Sequence, residues 1–417
     1  MSGELAICGG TPSIPRPLPT YRDSSGRWLG EEEKQRLAQV IDSGCLSHLC
    51  GTQVTEFERR FAELIGCRLA VATNSGTSAL HTAILYLNPE PADEILVSPI
   101  TDMGTVIPIL SQLALPVFVD VDPLDQNMNP ARIEEAISER TRALIVTHMH
   151  GSPADMDAVM DVARRHNLFV IEDCAQAQLA TYKGRTVGTM GDLACFSFQQ
   201  SKHLTTGDGG MVLANQDGQF GRSLRHCMDK GWPRERGGRD HLFLAPNYHM
   251  TELQAAVGLT QLPRLETVIA ARRESARNLD SQLQDVPAVH PLRIQPDRRE
   301  TRFFYVLTLD LTQLSVDGVA VVAALVAEGL PCFLGYPGKV PLYKYPMIRD
   351  HQTFGSSGWP FTLPSARRRW NYADALCPMA ELACRESVVI WWNERLTADH
   401  MDQIAAAVRK VVGAYRR

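Results

Sequence analysis

The sequence has no Cys-x-x-Cys pair, no long basic run and no uninterrupted apolar stretch of the ~18 residues a spanning helix needs. Each absence removes a class of function. The ten cysteines are scattered over 417 residues, which reads as a reduced, cytoplasmic protein. Cys174 and Cys195 lie in apolar, strand-like runs, where a thiol behaves as a small hydrophobe. Acidic side chains outnumber basic ones by 47 to 42, and the net charge of −5 offers nucleic acid no patch. The Arg367-Arg368-Arg369 triplet is too short to change this and reads as solvated surface. Met1-Ser2-Gly3-Glu4-Leu5 lacks the charged leader and apolar core of a signal peptide, so none is expected.

What is present is an ordinary globular composition, 44% hydrophobic and 21% charged, on a chain long enough for two domains. Residues 1–30 are rich in proline and glycine and read as an extended N-terminal arm. Strands are expected at 69–73, 94–98, 116–121, 143–147, 168–172, 194–198 and 210–214. Several are so apolar that both faces must be buried in a mainly parallel sheet. Ser152-Pro153-Ala154-Asp155 supplies an N-cap, a proline at the first helical position and an acid in the first turn. Thr251-Glu252-Leu253-Gln254 has capping-box spacing. Alternating strands and helices predict an open α/β fold with a seven-stranded sheet for residues 31–265. A strand at 302–311 and helices at 317–328 and 398–415 predict a smaller α+β domain over 266–417. The Pro-, Gly- and aromatic-rich stretch 331–370 suits loops over a site or interface.

Four segments carry chemistry. Thr73-Asn74-Ser75-Gly76-Thr77-Ser78 leads from a strand into a helix, where small residues and unpaired amides attract an anion, or simply make a capped turn. Asp173 stands at the carboxyl end of an apolar strand, where open α/β sheets bind ligands; it either holds a pyridine nitrogen protonated or caps a following helix. Lys202 follows a strand and precedes the turn Gly207-Asp208-Gly209-Gly210. A lysine partly desolvated at a sheet edge has a lowered pKa and forms imines with carbonyls. Ser197, five residues earlier, can reach a phosphate. The fourth segment, Ala245-Pro246-Asn247-Tyr248-His249-Met250, enters the capped helix at Thr251.

Together and in this order, these blocks resemble the DegT/DnrJ/EryC1/StrS aminotransferases, the sugar and cyclitol branch of fold-type I pyridoxal-phosphate (PLP) enzymes. Further matches are Ser43-Gly44, Gly51, Glu56-Phe57-Glu58, Asp120-Val121-Asp122 and Asn129-Pro130. The resemblance implies that Lys202 carries PLP as a Schiff base and then shuttles a proton between substrate and cofactor carbons. It implies Asp173 at the pyridine nitrogen, Gln176 near the ring hydroxyl, and Ser75, Gly76, Thr77 and Ser197 at the phosphate. Asn247 would reach that phosphate from a second subunit of a homodimer. The family places an aromatic ring where this chain has Met103, and a thioether can pack on a pyridine ring instead. Asp102 replaces a common threonine, and Asp208 stands where glutamate is more frequent.

A lysine at 202, where dehydrating relatives carry histidine, favours transamination over a lyase or dehydratase. A desulfurase would need a mobile cysteine, and none lies in a recognisable flexible loop. The implied partners are a small-molecule amino donor and a keto acceptor. The Gly9-Gly10-Thr11-Pro12 arm, Gln199-Gln200 and Thr205-Thr206 are similar to the subgroup acting on cyclitols and amino-hydroxybenzoate precursors, often with glutamine as donor; nucleotide-linked keto-sugars stay open. His148 and His150 would share a strand face without a third ligand at useful spacing, so no metal is expected. His203 is expected to point away from the chemistry, and Phe303-Phe304 and Trp391-Trp392 to fill core and interface.

Overall fold

The computed structural model describes residues 4–366, 372 and 376–417; the Arg367–Arg369 triplet and residues 1–3 lie outside the described residues. All seven expected strands form, with ends displaced by at most three residues. In chain order they are β1 (Leu69–Thr73), β2 (Glu94–Val97), β3 (Leu115–Phe118), β4 (Thr141–Thr147) and β5 (Phe169–Asp173). After the two short strands β6 (Thr181–Tyr182) and β7 (Arg185–Thr186) come β8 (Leu193–Ser197) and β9 (Gly210–Ala214). The large sheet has the order β1-β9-β8-β5-β4-β2-β3. Its pairings are parallel except those of β9, which runs antiparallel to both β1 and β8.

Because side chains alternate along a strand, the sheet has two buried faces. Val71, Ile95, Ile145, Ile171 and Cys195 point one way; Ala72, Leu96, Leu144, Val170 and Phe196 point the other. Helices α1 (Glu31–Asp42) and α2 (Gln53–Ile65) pack on the helix Glu252–Gln261. Phe57 and Phe61 of α2 reach the sheet, with Phe61 edge-on to Phe196 at 5.0 Å. Helices α3 (Gly76–Leu87) and α4 (Met103–Ser111) cover the opposite face.

A second, antiparallel sheet of order β10-β12-β14-β13 combines β10 (Val289–Pro291), β12 (Phe304–Leu309), β13 (Cys332–Leu334) and β14 (Ser387–Trp391). The short β11 (Arg298–Arg299) pairs instead with β6. Tyr305, Leu307, Val388 and Ile390 pack on the helices Leu265–Leu283, Gly318–Ala327 and Ala398–Tyr415, together with Leu5, Ile14 and Leu18 of the N-terminal arm. Phe304, Val306 and Val389 face the other way.

Two local expectations are corrected. The helix Met156–His166 is capped by Asp155, whose carboxylate accepts from Ala158 N, so Ser152 and Pro153 precede it. The reason is competition: His148 Nδ1 takes the Ala154 N–H at 3.0 Å, and Asn127 takes the carbonyls of Ser152 and Pro153. Cys45 and Cys50, expected reduced, are joined as a disulfide across a tight surface turn. The Thr251 capping box forms as expected.

Gly210 shows how closely the parts meet. It pairs with Thr73 of β1 and with Ser197 of β8, and a Cβ there would lie 2.2 Å from the Ser75 carbonyl oxygen. Gly210→Ala is therefore expected to cost about 1–3 kcal/mol, the usual range for overpacking. Urea unfolding should show a lower midpoint at unchanged slope; an unchanged midpoint would mean that the Ser75 turn can move aside.

Candidate active site

The carboxyl ends of β5 and β8 and the starts of α3 and α4 open on one cavity of about 400 Å³. Its floor begins with the two helix starts. The Ser75 hydroxyl caps α3 by accepting from Ser78 N at 3.0 Å, and the Asp102 carboxylate caps α4 by accepting from Gly104 N at 2.8 Å. A Cβ on Gly76 would sit 2.6 Å from Ser197 Cβ, so only glycine lets α3 start against β8. Free amides at the start of α3, with the hydroxyls of Thr77 and Ser197, line the same space. That combination suits an anion.

The Lys202 segment is folded back by its own backbone. Phe198 N donates to Gly209 O, Thr206 N to Phe198 O and Lys202 N to Gln199 O, each at 2.8 Å. Buried Gln178 clamps it from below, donating to Ser197 O and accepting from Leu204 N, both at 2.8 Å. The Lys202 ammonium lies 4.2 Å from the centre of the Phe303 ring. Burial lowers its pKa to about 8, against the opposing pull of the Asp102 and Asp173 carboxylates. An amine so placed is a nucleophile near neutral pH.

Asp173, the last residue of β5, is buried. One carboxylate oxygen accepts from the Thr105 hydroxyl at 2.8 Å and, more weakly, from Thr147 at 3.4 Å; the other accepts from Ala175 N at 3.1 Å. Burial pushes its pKa up, while these donors and Lys202 oppose the rise. No helix follows Asp173 directly, which removes the capping alternative. A carboxylate this dry favours a cationic partner.

Of the residues singled out in the sequence, Ser75, Gly76, Thr77, Asp173, Ser197 and Lys202 line this cavity. Gln176 lies just behind it, accepting from His150 N at 3.0 Å and donating to the Tyr336 hydroxyl at 3.1 Å. Met103 is half-buried against the hydrophobic core, while its neighbours Asp102 and Gly104 line the cavity. Asn247 is exposed outside this chain's cavity, its amide oxygen accepting from His249 N at 3.2 Å. Sequence reasoning missed Thr105 and Tyr21, and held Tyr336 only as part of the loop stretch 331–370 expected over a site or interface. Of the four rings expected in core and interface, Trp392 is core, stacked on Tyr305 at 4.9 Å. Phe303 and Phe304 are buried in a core cluster with Trp391 packed against it. What the expectation missed is that Phe303, Phe304 and Trp391 also line the cavity. Alternation along β12 and β14 was the available signal.

His203 points away, bonded to Thr301 O at 2.9 Å. His148 and His150 do not share a strand face, because His150 sits in a turn at φ +57° beyond the end of β4. Two other donors do approach His148: Glu172 and Cys174 join it from β5 and the turn beyond. No cysteine lines the cavity among the described residues, and none of their helices is long and apolar enough to cross a membrane.

The sequence profile of the DegT/DnrJ/EryC1/StrS aminotransferase family matches residues 28–409. The chain belongs to this family. It is a PLP-dependent aminotransferase of the sugar and cyclitol class. It is 32% identical over 432 residues to the L-glutamine:2-deoxy-scyllo-inosose aminotransferase of Streptomyces lividus, across 99% of this chain and 98% of that one. It is 39% identical over 244 residues to the GDP-perosamine synthase of Caulobacter vibrioides, across 58% of this chain and 65% of that one. The crystal structure of 3-amino-5-hydroxybenzoic acid synthase superposes with a TM-score of 0.81 at 25% identity, over 95% of this chain and 100% of the other.

The cavity of this aminotransferase fits the family's cofactor: an anion cradle at α3, an amine of low pKa and a dry carboxylate surround one space. The lysine gives a direct test. In cofactor-free enzyme, Lys202 should lose its proton as pH rises through about 8. At pH 7.5 roughly a quarter of it would be free amine, against about a thousandth for an ordinary lysine. Labelling with an amine-directed reagent, with Lys202→Ala as the blank, should show that midpoint; one near the ordinary value would mean the site is wetter than its geometry.

Proposed function

We propose that this aminotransferase moves the amino group of L-glutamine or L-glutamate to a keto-cyclitol or keto-sugar, in the biosynthesis of a secondary metabolite such as an antibiotic. The observation that carries the reading is the convergence of Lys202, Asp173 and the α3 start on one cavity. PLP, when bound, supplies an electron sink that lets the carbon bearing nitrogen lose its proton. Ser75, Gly76, Thr77 and Ser197 hold the phosphate, and the Asp173 carboxylate holds the ring nitrogen protonated. Lys202 would hold the cofactor through its side-chain amine and, when that amine is free, would take and return the proton at the substrate carbon. Gln176, its amide orientation set by His150 N, would serve the ring hydroxyl, and Met103 would pack on the ring in place of the family's aromatic side chain. Asn247 acts across a homodimer, on the phosphate of a second copy.

Two observations bear on the acceptor. The relative named for 2-deoxy-scyllo-inosose covers nearly the whole chain. Lys202 is also the one cation among the described residues lining the cavity, whereas a nucleotide diphosphate calls for several. Both favour a keto-cyclitol. The GDP-perosamine synthase relative supports the nucleotide-linked keto-sugar as the second reading.

Visible absorption tests the proposal. Adding L-glutamine or L-glutamate to PLP-loaded enzyme should remove the band of lysine-bound cofactor, and the right acceptor should restore it. Lys202→Ala should lack that band from the start; a retained band would place the linkage elsewhere. Asp173→Asn should still bind PLP but lose about 10²-fold or more in turnover, the scale on which a preorganised charge acts. Undiminished turnover would remove Asp173 from that role.

A further inference from the structure

The hydroxyl of Tyr336 is held from one side only. Behind the cavity, the amide of Gln176 has a fixed orientation. The His150 backbone N–H can only donate, so the atom facing it at 3.0 Å is the amide oxygen. The amide NH2 then faces Tyr336 and donates to its hydroxyl oxygen at 3.1 Å. An amide NH2 accepts nothing, so the phenolic proton must turn elsewhere. Tyr336 is half-buried and lines the cavity with Lys202 and Asp173, so the open side is the cavity.

The support behind this group is continuous. His150 Nε2 is bonded to the Gln126 amide oxygen at 3.0 Å, and the Gln126 amide NH2 donates to Ser387 Oγ at 2.7 Å, at the start of β14. The rings of Phe304 at 5.4 Å and His150 at 5.9 Å set the plane of the phenol. Burial and the nearby carboxylates of Asp102 and Asp173 push the hydroxyl well above the usual tyrosine range, so it keeps its proton.

We propose that Tyr336 recognises the amino acceptor, its hydroxyl donating a hydrogen bond to an oxygen of the acceptor ring. The proposal rests on the functional reading above. Phe304 and Trp391, 5.1 Å apart, offer an apolar wall beside this donor, which matches a ring with C–H faces and an oxygen-bearing edge. An acceptor without that oxygen leaves a donor in the closed site unpaired, which makes the contact a source of discrimination.

Tyr336→Phe removes one oxygen and keeps the ring. With PLP-loaded enzyme, the donor half-reaction and the acceptor half-reaction are followed separately by the visible band of lysine-bound cofactor. The expected result is a donor half-reaction within about two-fold of the parent and an acceptor KM raised about 10-fold or more, the scale of one lost hydrogen bond. A shifted band in the resting variant, or equal losses in both half-reactions, would place the hydroxyl on the cofactor and overturn the proposal. An unchanged acceptor KM would also overturn it, while leaving the functional reading intact because the parent still consumes the acceptor. A parent inert toward every keto-cyclitol and keto-sugar would overturn both.

Discussion

Strand β9 enters the large sheet backwards, between β1 and β8, and Gly210 at its start pairs with the last residue of each. Much of the cavity depends on this crossing. Because β9 draws the ends of β1 and β8 together, the Ser75 turn and Ser197 are forced into contact, and a side chain on Gly210 would collide with the turn's backbone. Helix α3 begins three residues beyond Thr73, so its free amides face the loop that follows Ser197. The same loop must return through Gly209 to start β9, which places Lys202 at the apex of a closed hydrogen-bonded arch. Anion cradle and lysine are thus two consequences of one backbone crossing, not two sites assembled independently.

Electrostatics sharpens what the backbone arranges. Lys202 and Asp173 are both displaced from their usual titration ranges by burial, the lysine downward and the acid upward, and each partly offsets the other. The arm contributes Tyr21 to the cavity lining and a buried charge from outside it. Arg27 and Arg272 converge on Glu394, with Arg272 bonded at 2.9 Å and Arg27 at 3.6 Å, and Arg27 also reaches the His203 carbonyl at 3.4 Å. A buried pair of this kind is a weak source of net stability but punishes misplacement, so the residue beside Lys202 is held to a fixed position by a segment almost two hundred residues away.

The large sheet was legible because strands buried on both faces write themselves as apolar runs. The Ser75, Asp173 and Lys202 segments were legible because each is a continuous stretch with its own turn chemistry. The aromatic wall was not. Phe304 and Trp391 lie on strands more than eighty residues apart, and alternation says which residues share a face without saying which face meets the cavity. Tyr336 has the same difficulty, since its partners Gln176 and His150 come from the other sheet's loops. The misplaced cap at Ser152 failed for a related reason: the backbone groups that would have started the helix there are taken by His148 and Asn127, which no local rule anticipates.

The adjacent acids Glu172 and Asp173 show how a period of two separates roles. On consecutive positions of β5 they must point to opposite faces. Asp173 faces the cavity, whereas Glu172 turns inward and accepts from Gly188 N, Met190 N and Gly191 N at 2.6–2.7 Å and from His148 at 3.1 Å. His148 accepts the Ala154 N–H on its other nitrogen, so its single proton goes to Glu172. Cys174 nearby is a thiol that burial keeps protonated. A cation in this group would have to displace bonds that already saturate both the acid and the imidazole, so the geometry that resembles a ligand set is a clamp on the loop at 188–191. That loop abuts the rear of β5, and the clamp steadies the strand whose last residue is Asp173.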